Sequence, residues 1–101
     1  MRCESKERPE LIQQRHNGYA IRYNLNEVVR EEEAFWQYDE VIVPSLEHNV
    51  IVEAIIREKY RIEEQVDILG EAIDNPGSSR YLEYKKTRQG AMTYCTETLG
   101  Y

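Results

Sequence analysis

The residues of this chain with the capacity for chemistry are two histidines, two cysteines and two charged clusters. His16 lies in a polar stretch beside Asn17 and Gly18, and His48 follows shortly after Pro44. Neither has a serine, cysteine or carboxylate at a spacing that suggests a catalytic triad, so both read as surface histidines. Cys3 and Cys95 lie near opposite ends without C-x-x-C spacing. They form neither a zinc motif nor a dithiol redox motif and read as two free thiols, with a bridge between them as the alternative.

The acidic cluster is Glu63, Glu64, Asp67, Glu71 and Asp74. Glu63, Asp67 and Glu71 recur every four residues and so share one side of a helix. Cation sites usually draw ligands from several elements, and no EF-hand loop or Glu-x-x-His pattern is present, so a solvated face is the plainer account. The run Glu31-Glu32-Glu33 reads similarly, as an exposed turn that discourages edge pairing.

The basic cluster is Arg80, Lys85, Lys86 and Arg88, four cations against Glu83, with Tyr81 and Tyr84 among them. Cations interleaved with aromatic rings are suited to gripping phosphates and stacking bases. The five glycines are scattered, so no glycine-rich loop is available to cradle a phosphate. We therefore expect no catalytic residue, no cofactor, no metal and no small-molecule substrate. Tyrosine is abundant, with eight in 101 residues. It favours interfaces because it buries area while keeping a polar tip. Tyr81, Tyr84, Tyr94 and Tyr101 are the candidate partner-binding residues; Arg80, Lys85, Lys86 and Arg88 are the candidates for nucleic-acid contact.

The elements that position these residues follow from periodicity. Tyr19, Ile21, Tyr23, Leu25 and Val29 alternate with mainly polar neighbours, the mark of a half-buried strand. Ala34 to Val43 is rich in aromatic and β-branched residues and forms a second strand. A turn at Arg30–Glu33 would place Leu25 opposite Tyr38, Ile21 opposite Ile42 and Trp36 opposite Glu27. One apolar face results, with Glu40 opposite Tyr23 as its single misfit. Trp36, Tyr38 and Ile42 are then expected to hold the fold. Pro44-Ser45 ends the hairpin, with Ser45 as N-cap of a helix over about 46–60. Ile62, Val66, Leu69 and Ile73 predict a second helix, stopped at Asp74-Asn75-Pro76-Gly77. A third starts at Ser78 or Ser79 and weakens at Gly90.

The predicted fold is therefore α+β: an antiparallel β-hairpin followed by two or three helices packed on its aromatic face. Residues 1–17 are expected to form a flexible N-terminal arm, 18–91 the α+β domain and 92–101 a C-terminal tail. The net charge of −6 opposes non-specific attraction to nucleic acid or anionic membrane. No apolar run has bilayer length, and Met1–Glu10 lacks the apolar segment of a signal peptide.

The succession Gly18-Tyr19-Ala20-Ile21-Arg22-Tyr23-Asn24, then Gln37-Tyr38-Asp39-Glu40-Val41-Ile42-Val43, then Ile51 through Tyr60 resembles short uncharacterised proteins of bacteriophage, prophage and mobile-element regions of gut bacteria. The resemblance covers about residues 18–88 and carries no catalytic motif. It implies a structural, assembly or accessory role in the bacterial host cytoplasm or the virion. The expected function is a non-enzymatic protein–protein interaction module, a small virion structural or assembly component. Its partners would be other proteins, in a homo-oligomer or larger assembly. The alternative is a nucleic-acid-associated or regulatory accessory protein.

Overall fold

The computed structural model describes all residues, Met1–Tyr101. It is α+β, with four strands followed by three α-helices: β1 (Arg2–Ser5), β2 (Ile12–Arg15), β3 (Gly18–Arg30), β4 (Glu33–Val43), α1 (His48–Lys59), α2 (Ile62–Asp74) and α3 (Ser79–Thr93). A π-helix, Tyr94–Leu99, continues α3. The chain divides into two compact units, Met1–Leu46 and Glu47–Tyr101. The division falls just after Pro44-Ser45, where proline denies the strand a ladder donor.

In the first unit the predicted hairpin is the centre of a larger antiparallel sheet, in the order β1-β4-β3-β2. Residues 1–17, expected as an arm, supply its two outer strands. Cys3 pairs with Tyr38 on one edge and Ile12 with Ile21 on the other. These strands are only four residues each, too short for alternation to show in the sequence. Because they flank opposite edges, the segment between them must cross a face of the sheet. Arg8 marks the crossing, its guanidinium 5.5 Å from the centre of the Trp36 ring.

The hairpin register follows expectation only near the turn. Glu27 faces Trp36 and Arg30 faces Glu33. Between Asn26 and Tyr23 the register then shifts by one, because two residues of β3, Asn24 and Leu25, stand against Tyr38 alone. This is a β-bulge. Asn24 has φ 54°, in the left-handed region that asparagine tolerates better than other side chains. Its Nδ2 donates to Asp39 Oδ2 at 2.9 Å. Beyond the bulge, Ile21 faces Val41 and Arg22 faces Glu40, in place of the expected Ile21–Ile42 pair.

The bulge divides the aromatic residues of the hairpin. Tyr19, Ile21 and Tyr23 share a face with Val41 and Val43; Trp36, Tyr38 and Ile42 lie on the other. The single aromatic face on which helices were expected to pack does not form. Tyr38 is buried and Trp36 half-buried, but Ile42 is 56% exposed and is no core residue. Ala20, Ile21 and Val43 are the fully enclosed side chains of this unit. Gly18 is required at the start of β3, since a Cβ there would collide with the Val43 carbonyl oxygen.

Arg22 is the most deeply buried charge of the sheet, at 6% exposure. Its Nε donates to Glu40 Oε2 at 2.9 Å, Nη1 to the Glu10 carbonyl at 3.0 Å and Nη2 to Gln13 Oε1 at 2.7 Å. One guanidinium thus ties β2, β3, β4 and the crossing segment together.

In the second unit, α1 begins at His48 with Glu47 as N-cap, two residues later than expected, and Ser45 caps nothing. Ile51, Val52, Ile55 and Ile56 form its buried face. Glu64 Oε1 accepts from the Arg61 backbone N–H at the start of α2. Ser78 caps α3, its Oγ accepting from the Tyr81 N–H. Residues 92–101 are not an irregular tail. The helix runs through Gly90, and the π-helix closes at Gly100 in the left-handed conformation, φ 81°, with the Tyr101 N–H donating to the Cys95 carbonyl.

Two expectations follow. The hairpin turn places Glu31 at φ 49° and Glu32 at φ 70°, the signs that a type I′ turn requires and that side chains other than Asn, Asp and Gly resist. Glu32→Gly is expected to raise the unfolding free energy by about 1 kcal/mol, read from the urea midpoint at unchanged slope. Arg22→Met should lower it by about 3 kcal/mol by leaving the nearly enclosed Glu40 carboxylate only the longer, half-exposed contact with Arg15 at 3.8 Å, whereas Arg22→Met combined with Glu40→Leu recovers most of that loss. A neutral Arg22→Met would show that the buried pair does not hold the sheet.

Candidate functional site

The residues singled out for partner contact fall in different environments. Tyr84 is 4% exposed and belongs to the core of the helical unit. Its hydroxyl donates to Gln65 Oε1 at 2.9 Å, and its ring meets Tyr60 edge-to-face at 5.3 Å between centroids. Gln65 in turn donates to the Tyr60 carbonyl at 3.0 Å, so the junction of α2 and α3 is closed by one polar chain. Tyr81 and Tyr94 are half-buried, and Tyr101 is exposed. Burial raises the pKa of the Tyr94 hydroxyl, and likewise that of the Cys95 thiol, which is fully enclosed. Cys3 and Cys95 are both free thiols.

The basic cluster separates into two pairs. Arg88 reaches across to Glu53 of α1 at 3.1 Å. Burial works against its charge, but hydrogen bonding and charge from Glu53, joined by Tyr84, prevail and raise its pKa. Arg80 pairs with Glu71 of α2 at 3.5 Å, and Ser78 Oγ donates to the same carboxylate at 3.0 Å. These arginines fasten helices to one another. Lys85 and Lys86 enter no ion pair and are exposed. They lie on the outer side of α3, along a shallow, open groove that α3 and the π-helix form by themselves, with Leu82, Gln89, Gly90 and Tyr94. Lys85, Lys86 and Tyr94, drawn from two separate candidate groups, are thus brought together, while Tyr84, Tyr101, Arg80 and Arg88 are not among the groove's lining residues.

The acidic cluster lies on α2. No three His, Cys, Asp or Glu side chains gather in a metal-binding arrangement anywhere in the chain. Glu64 is held by Arg61 and Glu71 by Arg80. Glu63, Asp67 and Asp74 enter no ion pair.

The feature that sequence reasoning missed is the other side of α2. Ile62, Val66, Leu69 and Ile73 were expected as its packing stripe, but they are 49–83% exposed. The side that packs carries Gln65, Ile68 and Ala72, of which only Ile68 is fully enclosed. The spacing of four, three and four places the exposed residues in one row along the helix. The missed signal was that α2 has two apolar sides: Ile68 and Ala72 fall off the row, and a helix packed on one neighbour cannot bury both.

His16 is exposed in the β2–β3 turn and His48 half-buried at the start of α1, and no hydrogen bond or ion pair joins them to a nucleophile. No helix is long and apolar enough to cross a membrane. Comparison with protein-family models, curated proteins and solved structures finds no match.

Tyr84→Phe is expected to cost about 1 kcal/mol in thermal or urea unfolding through the lost hydrogen bond to Gln65. Lys85→Glu should change stability by no more than about 0.5 kcal/mol, because the side chain supports nothing in the fold. A larger loss at Lys85 would show that its position in the groove is structural.

Proposed function

We propose that this chain is a non-enzymatic protein–protein interaction module, a small virion structural or assembly component of a phage or mobile element, working in the bacterial host cytoplasm or the virion. The observation that carries the reading is the row Ile62, Val66, Leu69 and Ile73, four large aliphatic side chains in water on one side of a helix whose other side is already packed. Enclosing such a side chain is worth roughly 1.5–3 kcal/mol, so a partner that covers the row gains substantially. Contiguous exposed apolar surface of this kind marks contact sites for other molecules. The resemblance of residues 18–88 to short phage and mobile-element proteins supports placing that contact within a homo-oligomer or larger assembly.

The nucleic-acid reading is the weaker one. Arg80 and Arg88 are engaged by Glu71 and Glu53, which leaves Lys85 and Lys86 as its phosphate contacts. Two lysines on a chain of net charge −6 offer a small electrostatic footprint.

A photo-reactive phenylalanine analogue replacing Val66 or Ile73 is expected to crosslink to a protein in the producing cell, whereas the same analogue at exposed Arg57 of α1 is not. Absence of any crosslinked protein at both 66 and 73 contradicts the reading.

A further inference from the structure

The row on α2 and the groove on α3 have complementary chemistry. Alongside the row stand Glu63, Asp67 and Asp74, three carboxylates that no cation of the chain balances. Lining the groove stand Lys85 and Lys86, two cations that no carboxylate of the chain balances. All other charges of these two helices except Arg61 with Glu64 serve contacts between helices: Arg80 with Glu71, Glu83 with Lys59, Arg88 with Glu53. Each surface thus lacks the charge that the other offers.

Their spacing also matches. Ile62, Val66, Leu69 and Ile73 recur at four, three and four residues; Leu82, Lys86, Gln89 and Thr93 recur at four, three and four along the groove. Two rows of this spacing mesh along nearly parallel or antiparallel helices. The aliphatic stems of Lys85 and Lys86 offer apolar wall while their ammonium groups stay at the rim.

Two glycines point the same way. Gly70 lies inside α2 and Gly90 inside α3, and a Cβ built on either would meet nothing within 4 Å. Glycine inside a helix costs about 1 kcal/mol relative to alanine, and within the chain no crowding requires it at either position. Both stand beside the surfaces in question, where the missing side chain lets another helix approach closely.

We propose that the α2 row of one copy docks in the α3 groove of a second copy of this chain, with Glu63 and Asp67 against Lys85 and Lys86. The inference rests on the α2 row being a docking surface and adds its occupant. Pairing of α2 with α2 is disfavoured, because each copy would bring the same three unbalanced carboxylates, Glu63, Asp67 and Asp74, and no unbalanced cation to the contact. A row meeting a groove is a heterologous contact, which closes when two copies engage reciprocally and otherwise propagates. One helix laid on one groove falls short of the roughly 800 Å² per partner of a standard interface, so the association is weak unless reciprocated.

The test uses two variants of the full chain. Val66→Asp with Ile73→Asp spoils the row, and Lys85→Glu with Lys86→Glu spoils the groove; both lie at exposed positions and should keep the wild-type circular dichroism spectrum and melting curve. In sedimentation velocity the wild-type protein is expected to associate with rising concentration, up to about 1 mM, and to dissociate as salt rises. Each variant alone should remain monomeric over the same range. An equimolar mixture should associate more than either variant alone but more weakly than wild type, because the groove variant's intact row and the row variant's intact groove allow one contact and not its reciprocal. A single chain carrying Glu63→Lys and Asp67→Lys together with Lys85→Glu and Lys86→Glu should also recover it. The inference is overturned if the wild-type protein stays monomeric, if the groove variant associates as well as wild type, or if the charge-swapped chain does not associate. Failure here together with a crosslink from position 66 to a different protein would remove the second copy as occupant and leave the docking surface standing.

Discussion

A buried guanidinium governs the sheet. Arg22 is almost wholly enclosed, and an enclosed cation without its partners is far more costly than a missing apolar contact. Its donors are met by Glu40 on β4, by Gln13 on β2 and by the Glu10 carbonyl of the segment that crosses the face. Arg22 faces Glu40 only because the bulge at Asn24 and Leu25 shifts the register by one residue. The bulge is secured in turn by Asn24, through its tolerance of positive φ and its hydrogen bond to Asp39. Register, β2 and the crossing segment are therefore one arrangement, and none of them can slip without costing the guanidinium a partner.

The helical unit follows a different logic. Its strong polar groups fasten helix to helix: Tyr84 with Gln65, Ser78 and Arg80 with Glu71, Arg88 with Glu53. With those contacts made inside the unit, its outward surfaces keep what the fold does not use. On α2 that is an apolar row beside unbalanced acids; on α3 it is a groove with unbalanced lysines. Apolar side chains left in water and charges left without partners are both weak points for an isolated chain, and contact with another molecule relieves both.

Much of this was legible in the sequence. Alternation marked β3, aromatic and β-branched content marked β4, and the spacing of Ile62 to Ile73 with the Asp74–Gly77 stop marked α2. The bulge left a trace as well. The unshifted register set Glu40 against Tyr23, the one misfit of the expected face, and a shift of one residue replaces Tyr23 by Arg22 and supplies the missing cation. The outer strands could not be read, because four residues are too few for a period and their stability comes from pairing. The helical end of the chain was hidden by Gly90 and by the threonines and tyrosines after it, residues of poor helix propensity that tertiary packing of Ala91 and Cys95 overrides. The docking row was legible as a helix face but not as an exposed one. A stripe of aliphatic residues looks alike whether it meets the chain's own core or another molecule.

The central claim is that α2 of one copy lies along α3 of another. The most direct measurement is intermolecular paramagnetic broadening, with a nitroxide at Asn75→Cys, exposed at the end of α2 beside the row, in an unlabelled chain mixed with isotope-labelled chain. Cys3→Ser removes the accessible native thiol, while Cys95 is buried. The account predicts broadening of amide signals along Leu82–Thr93 of the labelled copy. Broadening confined to Ile62–Ile73, or none at all in a mixture near 1 mM, would contradict it.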